Sequence, residues 1–442
     1  MSQRSTPPHH QRLILILGFG LSITAALAIS LITLSAVTRQ PAAPAAVPTV
    51  ALLPSATRPP APTTTPTPSA TPSLTSTATA APSQTPTATA TPIPPALADF
   101  WAGWAHWVLD RPDVGLPLGE SDTINWNDTV LWSFLHASDR SNGVIDQCGD
   151  PAPFPGCITL WSSEDAGQQF RLAAPICLIP CESCPCDAER DHPQQQQYPR
   201  VALASDGTLY MVYEWGARTM LRTSTDNGIT WTPAQHIPST GVWPQWLQSC
   251  KALERIDPHP FVPPQEWDCL VGAPPGIFVE GDELYVFVDI GSSPAHMGCL
   301  RGSRFDGAAG LRRCTTDPLF SGADTYGPLE VTGAAANPYF DFRYVSSADV
   351  VQEGNRYYMV YEGVRGPGPG DPGDTQFGLG FARSSGPAID MPWEKYPGNP
   401  IIRDLPGDVG LGHADLVQIG GTWYLYTTTS PEVRGRYRLD WR

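Results

Sequence analysis

The sequence predicts an all-β chain built as a five-bladed β-propeller, and two observations predict it: a hairpin recurs at near-constant spacing, and two further strands' worth of residues separate each copy from the next. Each copy is an apolar run, a tight Gly/Asp/Asn turn and an aromatic-rich run ending in a small or acidic residue. The clear copies are Val201 to Trp215 turning at Asp206-Gly207, Ile277 to Gly291 at Gly281-Asp282, Val350 to Gly363 at Gly354-Asn355, and Leu416 to Thr428 at Gly420-Gly421. Aligned on Tyr210, Tyr285, Tyr358 and Tyr424, they lie 75, 73 and 66 residues apart. Sequential hairpins repeated in this way form propeller blades. A fainter copy, Val130 to Ala137 with Leu131 as its marker, lies 79 residues before Tyr210 and supplies the fifth blade. Blade five runs out at Trp441 after three strands, so its outer strand is expected from the segment around 97–130, closing the ring.

Three segments precede the propeller domain of residues 97–442. Residues 1–12 are short and carry Arg4 and Arg12. Leu13 to Val37 holds no charge; at ~1.5 Å per residue it is long enough to cross a hydrocarbon core of about 30 Å as a transmembrane helix. The basic residues ahead of it place the N-terminus in the cytoplasm and the rest outside, a single-pass arrangement at the cell membrane. Ser35-Ala36-Val37 would suit cleavage of a signal peptide, but the apolar stretch exceeds the roughly 7–15 residues of such a peptide. Residues 38–96 are almost wholly Pro, Thr, Ala and Ser, with no aromatic side chain, and read as a disordered linker. At about 3.1 Å per residue in polyproline II, it could hold the domain up to ~170 Å from the membrane.

Charge excludes one class of partner. The chain carries 43 acidic and 27 basic side chains, and residues 1–96 contribute four arginines and no acid. The propeller domain therefore carries 43 acidic against 23 basic residues, and so negative a body repels nucleic acid and anionic lipid. Ten cysteines, all between Cys148 and Cys314, suit an extracytoplasmic, disulfide-bonded domain. The expected local pairs are Cys148–Cys157, Cys250–Cys269 and Cys299–Cys314. Cys177, Cys181, Cys184 and Cys186 match no standard zinc spacing, so disulfides are expected there too and no metal site is assigned.

Ser163-Glu164-Asp165-Ala166-Gly167-Gln168-Gln169-Phe170 and Ser224-Thr225-Asp226-Asn227-Gly228-Ile229-Thr230-Trp231 share the pattern Ser-x-Asp-x-Gly-x-x-aromatic, 61 residues apart. The physical logic is a turn in which Asp accepts backbone N–H bonds, Gly takes a positive φ and the aromatic packs between blades. Both resemble the Asp box of sialidases and related propellers (the BNR repeat). In that family the box joins strands 3 and 4 away from the catalytic face, which implies that Asp165 and Asp226 are structural.

A second resemblance covers blades four and five. Phe377-Gly378-Leu379-Gly380-Phe381-Ala382-Arg383, followed by Pro392-Trp393-Glu394-Lys395-Tyr396-Pro397-Gly398-Asn399-Pro400, is similar to the strand 3 to strand 4 passage of five-bladed glycosidases of the arabinanase and β-xylosidase type. Gly412-His413-Ala414-Asp415, followed by Trp423-Tyr424-Leu425-Tyr426, resembles their last blade. There a Gly-His motif sets a histidine beside the central channel, often near a bound ion. The resemblance thus implies an ion near His413, with no other cofactor required. Blade one shows no clear counterpart of the base aspartate these enzymes carry on its first strand.

Topology then selects a face. Strand 1 of a blade runs down the channel and strand 2 returns, so strand 2 ends and strand 1 starts on the same face, where every long insertion also emerges. Sites usually sit on loops elaborated over such a scaffold. Four residues beyond each marker tyrosine stand Glu214, Asp289 and Glu362, then Thr428; Asp349 and Asp415 occupy matching Ala-Asp starts of strand 1. This predicts a ring of up to five carboxylates at one mouth. Glycoside hydrolysis needs two flanking carboxyls, one protonated and one ionised, and crowding in such a ring helps to raise one pKa. Asp349 and Glu362 are the first choices for base and acid because they share blade four. His413, Arg200, Trp243 and Trp246 are candidate substrate contacts, the tryptophans by stacking on sugar rings.

Three readings follow: a cell-surface glycoside hydrolase or glycan-binding propeller, a non-catalytic surface binding or adhesion module, and a sialidase-like exoglycosidase using Arg200, Arg218 and Arg365 against an acidic sugar. The expected partners are a glycan or glycoconjugate and, through the N-terminal helix, the membrane.

Overall fold

The computed structural model describes residues 93–137, 158–173, 177–179, 196–215, 219–237, 271–290, 296–315, 318–321, 340–341, 344–364, 377–403, 411 and 413–442. All of them fall within one compact unit, Thr87–Arg442. The expected membrane span 13–37 and most of the linker 38–96 lie outside the described residues. Among those described, no helix is long and apolar enough to cross a membrane.

The described residues form five antiparallel sheets around a common axis. Strand β1 is Ala105–Pro117. Blade one is β2 (Gly119–Asn125), β3 (Leu131–Ala137), β4 (Ile158–Ser163) and β5 (Arg171–Leu172). Blade two is β6 (Gln196–Leu203), β7 (Leu209–Trp215), β8 (Thr219–Ser224) and β9 (Gln235–His236). Blade three is β10 (Val271–Glu280), β11 (Glu283–Ile290), β12 (His296–Ser303) and β13 (Arg312–Arg313), with β14 (Phe320–Ser321) also on β12. Blade four is β15 (Tyr344–Glu353), β16 (Arg356–Val364), β17 (Phe377–Ser384) and β18 (Trp393–Lys395), with β19 (Ile402–Arg403) also on β17. Blade five is β20 (Asp415–Ile419), β21 (Thr422–Thr428) and β22 (Val433–Trp441), and β1 completes it by pairing antiparallel with β22 from Ala105↔Trp441 to Pro117↔Val433. The expected closing strand is therefore the one observed. The innermost strands β2, β6, β10, β15 and β20 neighbour one another in sequence and meet again between β20 and β2.

The four tight turns lie where the Gly/Asp/Asn pairs predict, with Gly207, Gly281, Gly354, Gly420 and Gly421 all at positive φ. Blade one differs from expectation by one residue. Trp132, not Leu131, pairs with strand 1 as Tyr210 does, because Asn125 to Val130 forms a longer, Asn-stapled turn: Asn127 Oδ1 accepts the N–H groups of Thr129 and Val130. In a pleated strand a one-residue slip exchanges the two faces, and this slip hides Glu120 and Asp122.

Two Ser-x-Asp-x-Gly turns link strands 3 and 4 of blades one and two. Asp165 accepts the N–H groups of Gln168 and Gln169 at 3.0 Å, and Ser163 Oγ accepts that of Gly167 at 2.9 Å. Asp226 and Ser224 repeat the arrangement. The terminal aromatics reach the preceding blade: Phe170 meets Tyr426 edge-on at 5.9 Å and Trp231 meets Phe134 at 6.0 Å. These turns act as inter-blade fasteners.

Residues Leu97–Trp101 form a short helix, α1, whose Phe100 and Trp101 pack on Phe381 and Tyr396 of blade four. Trp101, Trp104 and Trp107, spaced for one helix face, do not share one: Trp104 is exposed and Trp107 belongs to β1. Cys299 and Cys314 are bonded with a Cα separation of 5.3 Å. Cys177 is also disulfide-bonded, as the disulfide reading of that run requires; the other expected pairs lie outside the described residues.

Gly276 on β10 shows how tightly the inner strands approach. A methyl group there would collide with the carbonyl oxygen of Ala348 on the neighbouring β15. Gly276→Ala is expected to destabilise the propeller by about 1–3 kcal/mol, the cost of overpacking a rigid interior, read as a lower midpoint in urea unfolding.

Candidate functional site

The pairing register makes equivalent residues explicit. Two positions past each blade marker, the strand 1 partner is Asp122, Arg200, Gly276, Asp349 and Asp415 around the channel. Four positions past the marker, strand 2 ends in His136, Glu214, Asp289, Glu362 and Thr428. The single ring of carboxylates expected from sequence is thus two tiers, a deep one on strand 1 and a mouth-ward one on strand 2. Two residues of strand separate them, about 6.6 Å.

The deep tier is an ionic hub. Arg200, 1% exposed, reaches across the channel: Nη1 donates to Asp415 Oδ1 at 2.9 Å and to Asp122 Oδ1 at 3.3 Å, and Nη2 donates to the carbonyls of Ser347 at 2.7 Å and Ala414 at 3.2 Å. One side chain from blade two therefore ties blades one, four and five. Arg434, equally buried, donates to the carbonyls of Gly119 and His413 and lies 3.5 Å from Asp415. Asp122 accepts the Val201 N–H and Asp349 accepts the Leu416 N–H, so each staples its blade to the next. Burial pushes Asp122 and Asp415 up, against the guanidiniums that pull them down.

Arg200 and Asp415, expected at the substrate and in catalysis, are buried and bonded to protein, and Asp122, the blade-one strand 1 aspartate, is held in the same hub. An arginine-based reading loses Arg200, and Arg218 and Arg365 lie outside the described residues. So do Trp243 and Trp246. Asp289 has its backbone in β11, and its side chain is outside the described set.

Three carboxylates face two guanidiniums here. Asp349 is half-buried and forms no ion pair with either guanidinium, although the charge of Arg200 reaches it. Burial, then the nearby Asp122 and Asp415, push its carboxyl up from the ordinary value of 3.8 to about 8, against the pull of Arg200. A carboxyl that holds its proton more tightly folded than unfolded favours folding below its ordinary range, and that contribution is lost as pH rises toward 8. Asp349→Asn should therefore gain stability relative to the wild type over this interval, seen as a Tm difference that grows in the variant's favour with pH.

The mouth-ward tier is built on bulges. Tyr198, Ser347 and His413 sit at positive φ, 54°, 55° and 56°, each two residues before Arg200, Asp349 and Asp415. In β6 and β15 the register shifts at these residues. Non-glycine residues held in this region mark over-determined, functionally suggestive positions. Tyr198 is the centre of the tier. His413 lies against its ring at 4.7 Å and His136 meets it edge-on at 6.3 Å. Burial raises its hydroxyl, and the charges of Glu120, Glu214 and Glu362 raise it further. Glu120 Oε2 lies 2.7 Å from His136 Nδ1, and Glu362 Oε2 lies 3.6 Å from His413 Nε2 while Oε1 accepts the Leu411 N–H at 3.3 Å. Burial, then Arg200, Arg434 and His136, hold His413 well below the usual imidazole range, so it is neutral.

Of the expected site residues, the structure brings Glu214, Glu362 and His413 together at the mouth and puts Asp349 one tier deeper. Sequence reasoning missed Glu120, His136 and Tyr198. His136 and Glu120 would have emerged from the correct blade-one register; Tyr198 carries no local signal. Among the described residues no group of three metal-ligating side chains occurs, and the charges of Arg200 and Arg434 bear on the His413 ring.

No protein-family model and no curated protein matches the sequence. Solved structures similar to the chain include a Bacteroides ovatus glycosyl hydrolase at 14% identity, covering 76% of this chain and 94% of that one with a TM-score of 0.47. The catalytic domain of the Coprinopsis cinerea GH62 α-L-arabinofuranosidase matches at 12% identity over 74% and 91%, TM-score 0.43. An exo-1,5-α-L-arabinanase from a bovine ruminal metagenomic library matches at 13% over 75% and 95%, TM-score 0.42.

Proposed function

We propose that the loop-bearing mouth hydrolyses a glycosidic bond, with Asp349 as proton donor and Glu362 as the carboxylate opposite it. One observation carries this reading. Asp349 pairs with Val360 across the hairpin, and Glu362 stands two residues on, so both carboxyls project from the same face of blade four into opposed surroundings. Asp349 is crowded by Asp122 and Asp415 and keeps its proton to about 8. Glu362 faces a backbone N–H and the neutral His413 ring, contacts that suit an acceptor. A carboxyl that keeps its proton beside a second carboxyl placed to act on the opposite side suits acid/base cleavage of an acetal. Asp349 would protonate the leaving oxygen while Glu362 acts on the anomeric side, on water or on carbon. The roles of the two are reversed from those the sequence suggested, because the deep tier makes Asp349 the acid.

The reading keeps the propeller at the cell surface, with segment 13–37 as its anchor and 38–96 as its tether; both rest on sequence. The test is to screen the full chain, purified in detergent, against aryl glycosides and a glycan array. Turnover that Asp349→Asn and Glu362→Gln both abolish supports it. Glycan binding without turnover by the wild type, unchanged in both variants, would make the domain a binding module.

A further inference from the structure

Blade four buries an amine against a carboxyl group in an aromatic setting. Asp341, ahead of β15, and Lys395, at the end of β18, meet with Nζ 2.7 Å from Oδ2, and their side chains are 0% and 6% exposed. The Tyr361 hydroxyl donates to the same oxygen at 2.9 Å. Asn399 Nδ2 donates to the Tyr361 oxygen at 3.3 Å, which turns the phenolic hydrogen toward Asp341. Asp341 Oδ1 has no hydrogen-bond partner among the described residues. The Phe320 ring lies 5.4 Å from Lys395 Nζ, and the rings of Phe320 and Phe340 lie 5.1 and 6.0 Å from that of Tyr361. Glycines let these groups close in: a methyl on Gly363 would collide with Phe340 and Asp341, and one on Gly380 with Tyr361. Burying two charges is costly unless further hydrogen bonds meet the remaining lone pairs. Here ammonium and phenol crowd one carboxylate oxygen and leave the other bare.

We propose that Lys395 and Asp341 are joined by an isopeptide bond formed within the folded blade. The amine nitrogen attacks Asp341 Cγ, the Cγ–Oδ2 bond breaks, and Oδ1 becomes the amide oxygen. Oδ2 departs as water with two of the three ammonium hydrogens, one of them relayed through the Tyr361 hydroxyl. An ion pair thus becomes an amide plus water, with no oxidant or cofactor, and both buried charges disappear. Contact between the reacting groups removes the entropic barrier to condensation, and a dry aromatic pocket opposes the reverse hydrolysis. The bond ties the chain entering the inner strand of blade four to its outer strand, across 54 residues, and constrains the unfolded chain as a disulfide does. Blade three has Cys299–Cys314 for this purpose; residues 315–442 contain no cysteine.

The test is peptide mapping by mass spectrometry of the full chain purified in detergent, reduced and alkylated before proteolysis so that no disulfide contributes. The main form of the Lys395 peptide is expected to be branched, joined to the Asp341 peptide and lighter than their sum by one water. The branched species should be absent from Lys395→Arg, which keeps the positive charge and removes the primary amine. Recovery of the two wild-type peptides separately and at full mass, with no branched species, overturns the proposal whether or not the variant folds. A one-water deficit confined to the Asp341 peptide overturns it too, because that is the mark of an aspartyl succinimide.

Discussion

Replacing Arg200 by methionine is expected to lower the stability of the propeller by about 3–5 kcal/mol, the effect of removing one partner from a buried ion pair. Methionine fills much of the volume, so the loss comes from charge and hydrogen bonding. Asp122 and Asp415 would be left buried beside one remaining guanidinium, and the carbonyls of Ser347 and Ala414 would lose their donor. Lysine keeps the charge without the planar fork, which here addresses two carboxylates and two carbonyls together, so Arg200→Lys should recover only part. Adding Asp415→Asn to Arg200→Met should recover part as well, because it removes one uncompensated charge. Urea unfolding followed by tryptophan fluorescence reads all three; a loss below ~1 kcal/mol for Arg200→Met, the range of exposed ion pairs, would show that the hub does not bind the blades together.

The second large effect is on turnover. Asp349→Asn is expected to reduce kcat by about 10²–10⁴-fold, the contribution of a positioned general acid. Its pH dependence separates chemistry from folding. In the wild type the acid must be protonated, so the rate falls as pH rises through about 8; the residual rate of the variant should lack that limb. Aryl glycosides with acidic phenols leave without a proton, so on them the variant should lose much less. An equal loss on good and poor leaving groups would remove Asp349 from the role of acid.

The backbone of this fold was legible wherever a turn needed a residue with special φ. Asp206-Gly207, Gly281-Asp282, Gly354-Asn355 and Gly420-Gly421 announced four hairpins, and the three-stranded end of blade five announced β1. Blade one was read one residue out because its turn is long and held by side chains, with no glycine to mark it. That slip concealed Glu120, Asp122 and His136 together. The split of the carboxylates into two tiers follows from strand register, which composition does not reveal. The positive φ of Tyr198, Ser347 and His413 was invisible for a different reason: residues with no preference for that conformation are held there by surrounding structure, so no local pattern reports them. The hub is of the same kind, since Arg200 spans the channel only because four other blades are in place around it.

The pairing of β1 with β22 also sets an order of events during synthesis. Residues 105–117 are the first propeller strand to be made, yet their partner, residues 433–441, is made last. Throughout elongation this strand edge must stay unpaired while four blades take shape behind it. Contacts of such sequence separation are slow to form, and exposed strand edges invite association between chains. The final act of folding is then a single zipper that converts an open arc into a ring, and it delivers Arg434, carried on β22, to Asp415 and Gly119 at the same moment.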